Sequence, residues 1–304
     1  MSIPREVLYA EIDARIEQTQ LAMAQRGYDA LIVYGNNKVY GSLRYLTDYF
    51  PDRCGWISLS GTETYLFDGA ALVIPANGEP VLALDTGMVL GKEVATRRVI
   101  SGSFGAGKEN GLSGKLLASL LGEQGNVKTV GIETWDRFPA PFYIELQKEF
   151  PGISIQRSTI VEELRMVKST LEVEIFRKAA RIGDIGHQTF ADSLRNGGVG
   201  KTELELIRQT EYAMRSHDPI YADAVENSPS LICSGFAVGG GLLHLPQNNK
   251  TIQPGDAVHW DICTRYNGYS IDTSRTKVVG KPTPQQQHSY DASLRILDKV
   301  LEIA

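Results

Sequence analysis

Two aspartates, Asp261 and Asp272, are the residues of this 304-residue chain whose types and spacing best suit chemistry. Asp261 lies in the β-prone, largely apolar segment 256–265, and the turn signal Asn267-Gly268 separates it from Asp272. If the two arms pair as a hairpin, both carboxylates can point into the same space, where they repel unless they are protonated or bridged by metal. Carboxylate oxygens suit Mn²⁺, Mg²⁺, Fe²⁺ or Zn²⁺. The pattern alone favours a metal site and a solvated hairpin with two surface acids about equally.

His259 and Cys263 flank Asp261, because residues 259, 261 and 263 share one face of an extended strand. Either side chain could shape substrate choice or alter the metal preference. A packed side chain next to the site is the simpler interpretation of each.

The elements that must position these residues are predicted from apolar periodicity and turn signals. An amphipathic helix around residues 12–23, ended by Gly27, precedes strands and helices that suggest one α/β domain ending near residue 155. Apolar residues from Leu164 to Ala179 predict the first helix of a second region, with capping-box spacing at Ser169 and Glu172. Strands are then predicted at 230–234, 256–265 and 276–279, and a helix at 285–304.

Composition excludes several classes of function. The net charge of −5 argues against nucleic-acid and anionic-lipid partners, and the sequence lacks an apolar run long enough to span a membrane. The start has no signal-peptide pattern, and three well-separated cysteines fit a reducing cytoplasm. The segment 197–202 looks like a phosphate loop, but Arg195 stands where that motif needs glycine, so no organic cofactor site is predicted.

The segment around the aspartates resembles the signature of the aminopeptidase P/prolidase/creatinase family of metallohydrolases, peptidase family M24. The matching residues on this segment and upstream, in the family's order, are Ser234-Gly235, His244, Gly255-Asp256, Asp261, Gly268-Tyr269, Asp272, Ser274-Arg275-Thr276 and Gly280. Leu164-Arg165, Lys168-Ser169 and Glu172 resemble the family's domain junction. Further similarities at Gly200 with Thr202-Glu203, and at Tyr40 with Tyr45-Leu46-Thr47, extend the likeness over nearly the whole chain.

The resemblance implies a fold. Residues 1–157 are expected to form an α/β, ribonuclease-H-like domain of the creatinase N-terminal type. Residues 158–304 are expected to form the first part of an α+β pita-bread catalytic domain, truncated at its C-terminal end. The family's remaining ligands, a histidine and two glutamates, come downstream of the aspartates, where this chain offers only His288 and Glu302 in unsuitable contexts.

The resemblance also implies a function. Asp261 and Asp272 would be the first ligands of two divalent metal ions, with Mn²⁺ preferred and Zn²⁺, Fe²⁺ or Co²⁺ as alternatives. His244 would stabilise the tetrahedral intermediate or move a proton. The simpler alternative is that His244 is a structural residue that ends the Gly-rich turn 239–241. The expected protein is a cytoplasmic, homodimeric Xaa-Pro peptidase acting on short peptides. Two alternatives stay open: a creatinase-like hydrolase or lyase of a small metabolite, and a catalytically inactive binding module.

Overall fold

The computed structural model describes residues 4–36, 38–51, 56–60, 63–67, 69–85, 95–96, 98–101, 112–217, 231–234 and 249–303. The chain divides into two compact units, Met1–Lys168 and Ser169–Ala304. The domain boundary predicted between residues 157 and 158 lies before this division and stays a prediction.

The first unit contains both helices and strands. Its elements are α1 (Arg5–Arg26), β1 (Ala30–Asn36), α2 (Gly41–Thr47), β2 (Trp56–Ser60), β3 (Glu63–Phe67), β4 (Gly69–Pro75), β5 (Val81–Leu84), β6 (Arg98–Ser101), α3 (Gly114–Gly122), β7 (Thr129–Glu133), α4 (Ala140–Glu149), β8 (Ser154–Arg157) and α5 (Ile160–Leu164). The predicted C-terminal stop of α1 is confirmed, since Gly27 follows the helix with a left-handed φ of 72°. The short elements α2, β6 and β8 were not predicted.

Six of the described strands form one mixed sheet in the order β6-β5-β4-β1-β7-β8. Strand β1 is central, pairing antiparallel with β4 and parallel with β7, and it is apolar on both faces. Leu31 and Val33 pack into a core with residues of α1 and α2. Ala30 and Ile32 pack on the opposite face with residues of α3 and α4. Burial on both faces explains why β1 reads as a continuous apolar run.

Glu133, at the end of β7, is a fully buried acid in the first unit. Its Oε1 accepts hydrogen bonds from Ser158 Oγ at 2.6 Å and from the backbone N–H of Val161 at 3.1 Å. Burial raises the pKa of this carboxyl, and the two hydrogen bonds oppose that rise in part. Glu133 therefore links the start of α5 to the sheet, although burial disfavours the charged form of its carboxyl.

The second unit contains α6 (Thr170–Arg195), α7 (Glu203–His217), β9 (Leu231–Ser234), β10 (Ala257–Tyr266), β11 (Tyr269–Val278) and α8 (Pro284–Ile303). The continuous helical spacing predicted from Leu164 onward is wrong at its start: α5 ends at Leu164, and Val167 is 82% exposed. Helix α6 begins at the predicted capping box, where Ser169 Oγ accepts from Glu172 N and Glu172 Oε2 accepts from Ser169 N. These bonds satisfy amide donors that would otherwise need a preceding helical turn.

Strands β9, β10 and β11 form an antiparallel sheet in the order β11-β10-β9, and α6 packs on it. Two glycines allow the close approach. A Cβ at Gly183 would lie 3.0 Å from Ile271 Cδ1, and one at Gly186 would lie 2.5 Å from Met214 Sδ and 2.9 Å from Ile262 Cδ1. These two glycines therefore allow α6 to lie close to both the sheet and Met214 of α7.

Helix α8 confirms the helix predicted at the end of the sequence, and it has no buried residue. Among the described residues, no helix combines the length and the apolar character needed to cross a membrane.

Candidate metal centre

The hairpin β10–β11 places the two aspartates. Its strands pair from Ala257 with Val278 to Tyr266 with Tyr269. Asn267 and Gly268 form the connection with φ values of 47° and 83°, the two positive angles that a type I′ turn requires and that asparagine and glycine tolerate. The Asn-Gly turn thus fixes the register: Cys263 lies opposite Asp272, and Asp261 lies opposite Ser274.

Side chains of β10 alternate between two environments. Val258, Trp260, Ile262, Thr264 and Tyr266 are buried, whereas the intervening residues are half-buried. His259, Asp261 and Cys263 therefore share the second face, as their spacing predicts. Because cross-strand partners project to the same side, Asp272 lies on this face too.

Asp261, Cys263 and Asp272 form a cluster in which one potential ligand atom from each lies within 4.8 Å of the other two. Cys263 Sγ donates to Asp272 Oδ1 at 3.6 Å, and Asp261 Oδ1 is buried. Two carboxylates and a thiol are a donor set that divalent transition-metal ions accept. The side chains present therefore fit a metal ion, which would also offset the repulsion between the carboxylates.

His259 is on the same face but outside this cluster. Its Nδ1 lies 2.9 Å from Thr276 Oγ1, its partner across the hairpin, and burial lowers the pKa of its imidazole. His244 lies in the segment 235–248, outside the described residues.

His187, on α6, supports the hairpin from its buried face. Trp260 Nε1 donates to His187 Nδ1 at 2.8 Å, and His187 Nε2 lies 2.8 Å from Thr273 Oγ1. Because an indole N–H can only donate, Nδ1 must be the unprotonated nitrogen, and the neutral ring donates through Nε2. The His187 side chain thus joins β10 and β11, because it contacts Trp260, next to Asp261, and Thr273, next to Asp272.

Sequence reasoning missed His187, because a single histidine within a helix matches no motif. The available signal was its spacing with Gly183, Gly186 and Phe190, which places it on the apolar stripe of α6. The start of α6 is tied to the same hairpin, since Tyr269 donates from its hydroxyl to Glu172 Oε1 at 2.9 Å.

A polar network joins Ser234, just before the segment that carries His244, to Lys250, which follows that segment. Ser234 Oγ donates to buried Glu203 Oε1 at 2.6 Å, and Lys250 Nζ donates to Ser234 Oγ at 2.6 Å and to Asp256 Oδ2 at 2.8 Å. The end of β9 and Lys250 therefore lie next to each other, beside the N-terminal end of β10.

Similarity to known proteins covers almost the whole chain. Residues 15–167 match the Creatinase/Prolidase N-terminal domain, and residues 174–304 match Metallopeptidase family M24. An Xaa-Pro dipeptidase of Pyrococcus horikoshii is 29% identical over 182 residues, which are 59% of this chain and 48% of that protein. An Xaa-Pro dipeptidase of Lactobacillus helveticus is 25% identical over 191 residues, 61% of this chain and 50% of that protein. The chain thus spans about half the length of these curated relatives.

Solved structures share the fold. The prolidase of Pyrococcus horikoshii aligns with a TM-score of 0.68 at 21% identity, over 94% of this chain and 71% of that one. The prolidase of Thermococcus sibiricus aligns with a TM-score of 0.70 at 23% identity, over 96% and 70%. The N-terminal domain match alone spans half of the chain and the M24 match follows it directly, so the chain belongs to metallopeptidase family M24, with a creatinase/prolidase N-terminal domain ahead of its pita-bread domain.

Proposed function

We propose that this protein is a metal-dependent hydrolase of C–N bonds that cleaves Xaa-Pro peptides, and that Asp261 and Asp272 are ligands of its metal centre. The observation that carries the proposal is the convergence of these two carboxylates on neighbouring strands, within 4.8 Å of each other and of Cys263. The names of the relatives, Xaa-Pro dipeptidases and an Xaa-Pro aminopeptidase, support the choice of substrate class.

Asp261 and Asp272 would hold the metal from a rigid base. Both belong to a hairpin whose register is set by a two-residue turn, and whose opposite face is buried against α6. When bound, divalent ions supply Lewis-acid polarisation of the scissile amide and activation of water. Mn²⁺ is the proposed ion for the two aspartates, because hard carboxylate oxygens suit it.

His244 is proposed as a catalytic residue that donates a hydrogen bond to the developing oxyanion or moves a proton to the leaving nitrogen. The network of Glu203, Ser234, Lys250 and Asp256 supports this proposal by holding together the chain positions between which His244 lies. His244→Ala is expected to lower turnover by roughly 10²–10³-fold, the usual loss for one oxyanion donor, with metal content and melting temperature nearly unchanged. A lower melting temperature with normal turnover per folded molecule would mean a structural histidine.

We also propose a homodimer in a reducing cytoplasm. The odd, dispersed cysteines favour that compartment. Homodimerisation rests on the family resemblance, and sedimentation equilibrium tests it by comparing the measured mass with that of a single chain. A monomeric mass at working concentrations would contradict this part.

The central experiment measures Mn²⁺ binding by calorimetry and hydrolysis of an Xaa-Pro dipeptide for the wild type, Asp261→Asn and Asp272→Asn. Each variant is expected to lose metal binding and hydrolysis while keeping its fold, because a neutral amide is a weaker ligand than a carboxylate. Ser270→Ala is the matched control, since Ser270 lies on the same strand and face as Asp272. Wild-type metal content in both Asn variants would refute the proposal.

Substrate choice is tested in the same preparation. Activity on creatine or another small amidine, with none on Xaa-Pro dipeptides, would favour the creatinase-like alternative. A wild-type protein that binds no divalent metal would favour the inactive binding module.

A further inference from the structure

Cys263 occupies a position between the two aspartates. It is two residues after Asp261 on β10 and directly opposite Asp272 on β11, so all three side chains project from one face of the hairpin. Its Sγ atom is 3.6 Å from Asp272 Oδ1, and it belongs to the group of ligand atoms that lie within 4.8 Å of one another.

These separations are close to those that one metal ion needs. Metal–sulfur bonds are about 2.3 Å long and metal–carboxylate bonds about 2.0–2.2 Å, so two ligand atoms of one ion lie within about 4.5 Å of each other. Small rotations of short side chains would bring the three atoms into this range. The backbone beneath them is held in place because Trp260 and Thr273, on the opposite face, are both hydrogen-bonded to His187.

We propose that Cys263 is a third protein ligand of the ion held by Asp261 and Asp272, and that its sulfur shifts the preference of the centre from Mn²⁺ towards Zn²⁺ or Co²⁺. The inference rests on the proposed function in assuming that the aspartates hold a metal. On binding, a metal–sulfur bond forms, the S–H bond breaks, and the proton leaves to solvent; no oxidation occurs. A thiolate is a softer donor than a carboxylate, and Zn²⁺ and Co²⁺ accept sulfur more readily than Mn²⁺ or Mg²⁺.

The expected consequence is a change in selectivity more than in overall binding. Replacing the sulfur with a hydroxyl should weaken Zn²⁺ and Co²⁺ binding at least about tenfold, since even the loss of groups that only orient a ligand costs about 10–100-fold. Mn²⁺ affinity should change much less, because both carboxylates remain. The ratio of the Zn²⁺ and Mn²⁺ dissociation constants is therefore the informative quantity.

The experiment titrates the purified wild-type chain, Cys263→Ser and Cys263→Ala with Co²⁺ under reducing conditions and records the near-ultraviolet absorption of sulfur-to-cobalt charge transfer. The wild type should develop this band, and both variants should lack it while still binding Co²⁺ more weakly through Asp261 and Asp272. Cys54 and Cys233 are kept in every protein, so that Cys263 is the one thiol that differs between the wild type and the variants. Circular dichroism establishes that each variant is folded, and two variants guard against one that fails to fold.

The possible failures are distinguishable. If the wild type binds Co²⁺ without the band, or if the band persists in Cys263→Ser, the inference about Cys263 is overturned and the proposed function stands. If Cys263→Ser leaves the Zn²⁺/Mn²⁺ ratio unchanged, the inference is likewise overturned. If the wild type binds no divalent metal, the proposed function fails and the inference fails with it.

Discussion

His187→Ala should destabilise the second unit, because it removes the acceptor of a buried tryptophan. Trp260 is 4% exposed, and its indole N–H donates to His187 Nδ1 at 2.8 Å. Leaving a buried donor unsatisfied costs about 1–3 kcal/mol, and the half-buried ring also leaves a cavity beside Trp260. Together these effects should lower the free energy of unfolding by about 2–4 kcal/mol.

The pH dependence of stability tests the protonation state assigned to this histidine. Burial, and secondarily the positive charge of Arg275, lower the pKa of His187, while Asp184 acts in the opposite direction. A lowered folded-state pKa means that the histidine's contribution is complete above the ordinary value near 6.5 and is lost as pH falls through the lower folded value. His187→Ala should remove this part of the acid destabilisation and leave the part due to His259, whose pKa is also lowered by burial.

The assay is urea unfolding at several pH values, followed by Trp260 fluorescence in a background where Trp56 and Trp135 are replaced by phenylalanine. His288→Ala is the matched control, because His288 lies on exposed α8 and its loss should change stability by less than about 0.5 kcal/mol. If His187→Ala were no more destabilising than this control, the assigned hydrogen bonds would be wrong. If His187→Ala left the slope of the unfolding free energy against pH unchanged below the ordinary histidine pKa, only the protonation argument would be refuted.

The remaining predictions concern helix packing, helix capping and a buried acid. Gly186→Leu should destabilise the second unit by about 1–3 kcal/mol, because a Cβ there already lies 2.5 Å from Met214 Sδ; the same change at exposed Arg181 should be nearly neutral in thermal unfolding, and equal effects would contradict the packing argument. Ser169→Ala should cost about 0.5–2 kcal/mol by removing the N-cap of α6, measured by urea unfolding, and no loss would mean that Glu172 and Tyr269 suffice. The buried carboxyl of Glu133 stabilises the first unit fully only below the ordinary glutamate pKa near 4.5. The free energy of unfolding of the wild type should therefore fall as pH rises through the raised pKa of Glu133. Glu133→Gln should flatten that fall, and an unchanged pH profile would refute the assignment.

Local chemistry made the hairpin predictable. Asn267-Gly268 tolerates the two positive φ angles of a type I′ turn, and that turn sets the pairing of every residue in both arms. Strand alternation then assigned His259, Asp261 and Cys263 to one face. The capping box at Ser169 likewise fixed where α6 begins, even though apolar spacing from Leu164 predicted an earlier start.

The sequence by itself therefore determined which residues share the hairpin face, because turn geometry and period-two alternation are properties of neighbouring residues. Only the tertiary structure decided that the sulfur of Cys263 lies 3.6 Å from a carboxylate oxygen of Asp272, since that distance depends on side-chain rotamers. It alone also decided that His187, far away in sequence, joins Trp260 to Thr273 beneath the site. Contacts between helix and sheet depend on how two surfaces pack. Small residues such as Gly183 and Gly186 permit close packing, but they do not specify which residues will pack against them.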